Sequence, residues 1–173
     1  RRGPMIVCVD SSASMYGVPQ RIEASLLSKL EETAERLNRD CFLIDFSVGV
    51  RPIELRSRRK HRAMERMGMK MEDSENFEKV YFPFLGGGTD AQKMLNLTFY
   101  LLENGDDRYM NADVLWITDF LIPRTTEDLM ERFKDYQATG TKFYGFKIGQ
   151  GQSNWDKYFD KIYEVHYRQP RRY

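Results

Sequence analysis

Two apolar runs in this chain end in an aspartate. Met5-Ile-Val-Cys-Val9 runs into Asp10 and a serine-rich turn, and Ala112 to Thr118 runs into Asp119. The first run is continuous rather than alternating and rich in β-branched residues, and the second is so from Val114 to Ile117. Such a run is a strand buried on both faces, and strands of that kind belong to parallel sheets covered by helices on each side.

The rest of the chain fits that frame. Pro19 suits the first turn of a helix. Ile22, Leu26, Leu27, Leu30, Ala34 and Leu37 then recur at three- and four-residue spacing, which predicts an amphipathic helix of about five turns. Cys41 to Ile44 is a second buried strand. Gly49 breaks the chain, and Val50 to Leu55 is a third strand, antiparallel to its predecessor because the connection is so short. Residues 56–80 fit no element. Tyr81-Phe-Pro-Phe84 is expected to pack in the core, and Gly86-Gly-Gly88 breaks the pattern again.

A helix is predicted from Asp90 to Leu102 with Ala91, Met94, Leu95, Leu101 and Leu102 inward, stopped by Gly105-Asp-Asp. After the strand ending at Thr118, Thr125-x-x-Asp128 resembles a capping box. Leu129, Met130, Phe133 and Tyr136 continue that helix as far as Gly140. Lys142 to Ile148 is a strand, Ser153 caps a short helix through Phe159, and Ile162 to Val165 is the last strand. Strand–helix alternation of this kind is an α/β fold, doubly wound around a mostly parallel central sheet with helices on both faces.

Composition narrows the class. The chain has 173 residues, enough for one domain, and 41% are apolar, too many for a disordered chain. No apolar run approaches the roughly 20 residues that span a bilayer. Cys8 and Cys41 both sit in apolar runs and read as reduced core thiols, which implies a reducing, cytoplasmic setting. The chain starts at Arg1 rather than Met, and so reads as part of a longer protein.

The net charge of +1 weighs against wholesale coating of nucleic acid. It also hides an uneven distribution. Arg56, Arg58, Arg59, Lys60, Arg62, Arg66 and Lys70 face a single acid, Glu65, for a net of +6. Arg168, Arg171 and Arg172 add +3, which leaves −8 on the remainder. The basic stretch also holds Met64, Met67 and Met69, and Met71 follows it. Methionines among charges suit an adaptable contact surface.

Ligands of such sheets bind beyond the carboxyl ends of the strands. There the sequence places Asp10-Ser-Ser12-Ala-Ser14 after the first strand, Gly86-Gly-Gly-Thr89-Asp90 at a helix start, and Asp119 after the fourth strand. Ser12 and Ser14 are two apart, so both hydroxyls lie on one side of the loop. Hydroxyls and carboxylates are hard oxygen donors of the kind Mg²⁺ takes six of, and two carboxylates can act through waters. No His or Cys joins the set, which argues against zinc. Asp90 adds charge beside the site or stabilises its own helix N-terminus. Each piece alone has a plain explanation: a helix cap, a glycine turn, a strand end. The three together, in order and at matching ends, point to a divalent-cation site.

Asp10-x-Ser12-x-Ser14, Thr89 and Asp119 resemble the metal-ion-dependent adhesion site of von Willebrand factor A domains, and the resemblance covers nearly the whole chain. It implies one antiparallel edge strand in the sheet. It also implies Ser12 and Ser14 as direct Mg²⁺ ligands (Mn²⁺ or Ca²⁺ being substitutes), Thr89 as a direct or water-mediated one, and Asp10 and Asp119 acting mainly through water. A partner's Asp or Glu would complete the coordination. The family usually has Gly where Ala13 stands.

The stretches Gly3 to Met15, Cys41 to Ser47, Gly87 to Asp90, Asp113 to Phe120 and Phe159 to Tyr163 look similar to the C-terminal domain of bacterial ViaA-type proteins. Those are cytosolic partners of MoxR-family AAA+ ATPases. The resemblance implies a single domain over 1–173, an adaptor or co-chaperone role, and 56–80 as an insertion. Asp90, Arg58, Arg59, Lys60 and Arg62 are the candidate partner contacts.

Two other readings compete. A phosphatase or hydrolase of similar fold would use Asp10 as nucleophile and need a second carboxylate two residues on, where Ser12 stands. His61 and His166 lie in basic, exposed segments away from the rim, and Gly86-Gly-Gly-Thr lacks the Lys of a phosphate-binding loop. Nucleic-acid binding through 56–70 would draw on its charge, but no aromatic residues are interleaved for stacking.

Overall fold

The computed structural model describes residues 3–46, 50–55, 90–104 and 109–168. The basic insertion with Arg58, Arg59, Lys60, His61 and Arg62, the Tyr81–Phe84 stretch, the three glycines and Thr89 all lie outside the described residues.

Among the described residues six strands form one sheet. They are β1 (Met5–Asp10), β2 (Cys41–Phe46), β3 (Val50–Leu55), β4 (Asp113–Thr118), β5 (Phe143–Ile148) and β6 (Lys161–Val165), in the spatial order β3-β2-β1-β4-β5-β6. All neighbours are parallel except β2 and β3, whose short connection forces the chain to reverse. The expected antiparallel strand therefore stands at the sheet edge.

Side chains alternate across the sheet, and each face has its own core. Ile6 and Cys8 of β1, Phe42 and Ile44 of β2, and Val114 and Trp116 of β4 point to one face. There they meet helices α2 (Asp90–Asn104) and α3 (Glu127–Ala138), whose Met94, Leu95, Leu101, Leu102, Leu129, Met130 and Phe133 are all buried. Trp116 is the centre of this core, 5.1 Å from the Trp155 ring and 4.9 Å from Phe159. Met5, Val7 and Val9, with Leu43, Leu115 and Ile117, point to the other face under α1 (Val18–Arg36). The stripe Ile22, Leu26, Leu27, Leu30 and Ala34 packs there as its spacing predicts.

Cys8 and Cys41 fall on opposite faces, both as buried free thiols. Burial pushes each thiol up to about 12, so neither forms a reactive thiolate. Among the described residues no helix is long and apolar enough to cross a membrane.

Three expectations shift. Leu37 ends the stripe on paper, but α1 stops at Arg36, Asn38 turns left-handed, and Leu37 is exposed. The cap of α3 is Thr126, not Thr125: its Oγ1 accepts from Leu129 N at 3.5 Å. After Ser153 there is only a single 3₁₀ turn, Asp156–Tyr158. Ser153 Oγ accepts from Trp155 N at 3.1 Å and donates to the Phe120 carbonyl at 2.7 Å. That side chain ties one loop to another rather than starting a helix.

Candidate functional site

The register of β1 against β4 pairs Val9 with Ile117 and so sets Asp10 beside Thr118 at the carboxyl rim. Asp10 is only 2% exposed, and its carboxylate is held from two directions. Oδ1 accepts from Ser12 N at 2.8 Å, and Oδ2 accepts from the buried Thr118 hydroxyl at 2.6 Å. Thr118 Oγ1 in turn accepts from Phe120 N at 3.0 Å. The end of β1, the loop after it and the loop after β4 are thus one hydrogen-bonded unit.

The first loop folds back at once. Ser12 precedes a 3₁₀ turn over Ala13–Met15, closed by Met15 N to Ser12 O at 2.9 Å and anchored by the buried Met15 side chain. This turn brings the Ser12 and Ser14 hydroxyl oxygens within 3.0 Å of each other. Ala13 sits in the turn with a negative φ, so the family's glycine is not needed there. Gly17, at φ 88°, makes the left-handed step that leads into α1.

Asp119 follows β4, half-buried, with Oδ1 accepting from Leu121 N at 3.0 Å. Its loop is braced from behind. Phe120 holds φ at 64° with its ring buried, Ser153 grips the Phe120 carbonyl, and Trp155 Nε1 donates to the Ile122 carbonyl at 2.8 Å. Asp90 is the first residue of α2, directly after Thr89. The structure thus gathers Asp10, Ser12, Ser14 and Asp119 at one rim. His166 is exposed and pairs with Glu164 at 3.2 Å; it follows the parallel edge strand β6, so it stands at the carboxyl edge of the sheet after all, two strands beyond β4.

Further residues belong to the rim that the sequence reading did not single out. Thr118 is one. Ser11, whose hydroxyl donates to Asp45 Oδ1, brings in Asp45 at the end of β2. Glu23 on α1 is another. It is 6% exposed, and among the described residues its Oε2 has no hydrogen-bond partner. Burial first, then the charges of Asp10, Asp45 and Asp119, push its carboxyl up to about 8. One signal for Glu23 was present in the sequence. It stands four residues before Leu27 and seven before Leu30, a carboxylate at a position on the apolar stripe.

Among the described residues no three of His, Cys, Asp and Glu come together to chelate an ion directly. The donor set suits another arrangement. Adjacent vertices of an octahedron with Mg–O bonds of about 2.0–2.1 Å lie about 3 Å apart, and the two serine oxygens have that separation. Each Asp10 oxygen has accepted one protein hydrogen, which leaves lone pairs for water. Serines that bind directly and carboxylates one water away therefore fit the residues present.

No protein-family model matches the chain. Solved structures do. The SpRpn10 VWA domain superposes with a TM-score of 0.59 at 13% identity, covering 96% of this chain and 89% of that one. A von Willebrand factor type A structure from Catenulispora acidiphila gives 0.54 at 15% identity, over 97% of this chain and 39% of its own. The pilus adhesin SpaC from Lactobacillus rhamnosus GG gives 0.55 at 13% identity, over 89% and 25%. The chain has the von Willebrand factor A fold.

Proposed function

We propose that this chain is a non-catalytic protein-binding domain whose contact is bridged by a divalent cation, Mg²⁺ in the first place. The observation that carries this reading is the pair of serine hydroxyls 3.0 Å apart, set on a loop that Asp10 and Thr118 lock in place. Ser12 and Ser14 hold the ion, with Thr89 as the further ligand that the sequence resemblance implies. Asp10 and Asp119 orient its waters and balance its charge. A cation held largely by neutral hydroxyls keeps much of its positive charge, and a partner's Asp or Glu answers it. One fold neighbour is, by name, an adhesin.

Catalysis fits the residues less well. A carboxylate nucleophile needs a second acid or base beside it, and Ser12 stands where that group would be. Asp10 itself is 2% exposed with both oxygens engaged, a poor attacking group.

The partner follows from the sequence resemblance: a MoxR-type AAA+ ATPase or its client, met in the cytoplasm by an adaptor. Asp90 and the basic residues Arg58, Arg59, Lys60 and Arg62 supply further contacts. Calorimetric titration of the chain with MgCl₂, followed by capture of a MoxR-type ATPase with Mg²⁺ or with EDTA, tests the reading. Mg²⁺ uptake and Mg²⁺-dependent capture, both lost in S12A and S14A, are expected. Equal capture with EDTA and with Mg²⁺ overturns the bridged mechanism. The serine variants are cleaner than Asp10→Ala, which also removes two structural hydrogen bonds.

A further inference from the structure

We propose that Glu23 is a further carboxylate of the cation site, supplied from α1 to the water shell of the bound ion. This rests on the metal reading above and adds a residue to it. Glu23 stands among Pro19, Leu26, Leu27, Leu30 and Ala34, where an aliphatic side chain would pack against the sheet. A carboxyl there is costly unless something answers it.

Among the described residues none hydrogen-bonds Glu23 Oε2, which is buried. An ionised Oε2 needs donors and a protonated one needs an acceptor, so one polar group is left unsatisfied in either state. The neighbours make this worse. Asp10 ends β1, Asp45 lies in β2 and Asp119 follows β4, and all three add negative charge around Glu23. Asp45 shares its strand face with Cys41 and Leu43, the face that α1 covers. Glu23 thus lies on the sheet-facing stripe of α1, within electrostatic reach of three aspartates at the strand ends.

A hydrated divalent cation resolves both problems. Its positive charge offsets the cluster, and its waters present O–H donors to carboxylates that do not touch the ion. Neighbouring waters can reach a buried carboxylate from a direction that protein donors do not occupy. Glu23 acts here as a positioning residue through those waters.

Titration of wild type, E23Q and E23L with MgCl₂ and MnCl₂ by calorimetry, with melting curves in EDTA, tests this. Loss of about 10–100-fold in cation affinity is expected for E23Q and E23L, the range seen when outer carboxylates of metal sites are removed. In EDTA both variants should melt at or above the wild-type temperature. E23L matches the stripe, so a folding failure of E23Q leaves the test intact. Wild-type affinity in both variants overturns the role of Glu23 alone. A wild type that binds neither cation overturns the metal reading and this inference with it.

Discussion

The Thr118 hydroxyl donates to Asp10 Oδ2 across 2.6 Å, from the last residue of β4 to the last residue of β1. Both groups are buried, Thr118 fully, and they are 108 residues apart in sequence. The bond fixes which way the Asp10 carboxylate faces and leaves Oδ1 to hold the Ser12 amide. The loop that carries the two serines is thus aligned by a residue on another strand.

Thr118→Val keeps the volume and removes the donor. A hydrogen bond to a charged group contributes about 1.5–3 kcal/mol, so a loss of that order is expected in urea denaturation. Thr118→Ser, which keeps the hydroxyl, should retain most of the stability. If valine and serine behave alike, packing rather than the hydrogen bond is what Thr118 supplies.

The two serines should behave differently from Thr118. Ser14 is exposed and Ser12 only half-buried, and their hydroxyls bond each other rather than the core. Ser12→Ala and Ser14→Ala should each change metal-free stability by no more than about 0.5 kcal/mol. The wild type should gain about 2.7 kcal/mol at Mg²⁺ a hundredfold above Kd, and both variants should lose that gain. Melting curves with EDTA and with MgCl₂ separate the two effects.

The strands that form the site were readable because a doubly covered sheet leaves a simple trace. β1 and β4 are largely apolar runs, and an aspartate marks where each strand gives way to its loop. Helix α1 was readable from its stripe, but its end was not. Leu37 has the right spacing, and only the left-handed Asn38 that follows takes it out of the helix. Asp10, Ser12, Ser14 and Asp119, which share one rim, stand out in the sequence because their types repeat a known pattern. Thr118 was passed over because a threonine at a strand end is ordinary β chemistry. Its role depends on which strand lies next to it. Glu23 was hidden by its opposite nature, a charged residue inside an apolar face, which pattern counting smooths over.

Glu23 also gives the metal-free protein a pH dependence. Its carboxyl, ordinarily near 4.5, is raised to about 8 by burial and by Asp10, Asp45 and Asp119. Between those values the folded chain holds a proton that the unfolded chain has released, so stability falls as pH rises through that window. Below 4.5 this effect is absent, and above 8 the full cost remains. In EDTA, Glu23→Gln should therefore flatten the decline between pH 5 and pH 8, roughly the window of that titration, and exceed the wild type most at its alkaline end. Denaturation midpoints in matched buffers at several pH values check it, and parallel pH profiles for the two proteins would count against it.

The brace behind Asp119 can be broken from a distance. Gly145 lies in β5, opposite Trp116 on one side and Ile162 on the other. A Cβ built there would stand 2.4 Å from Cζ of Phe120. The Phe120 ring is 1% exposed and packs 5.1 Å from the Phe159 ring, and its backbone already holds a positive φ, so it has little room to yield. Gly145→Ala should cost about 1–3 kcal/mol, as overpacked cores do. The displaced Phe120 also carries the amide bonded to Thr118, so the shift reaches Asp10 and should weaken the proposed Mg²⁺ binding. Phe120→Leu removes the clashing ring edge, so Gly145→Ala should cost less in that background. A double-mutant cycle in urea measures the coupling, and strict additivity of the two changes would show that the Gly145–Phe120 contact does not set the position of this loop.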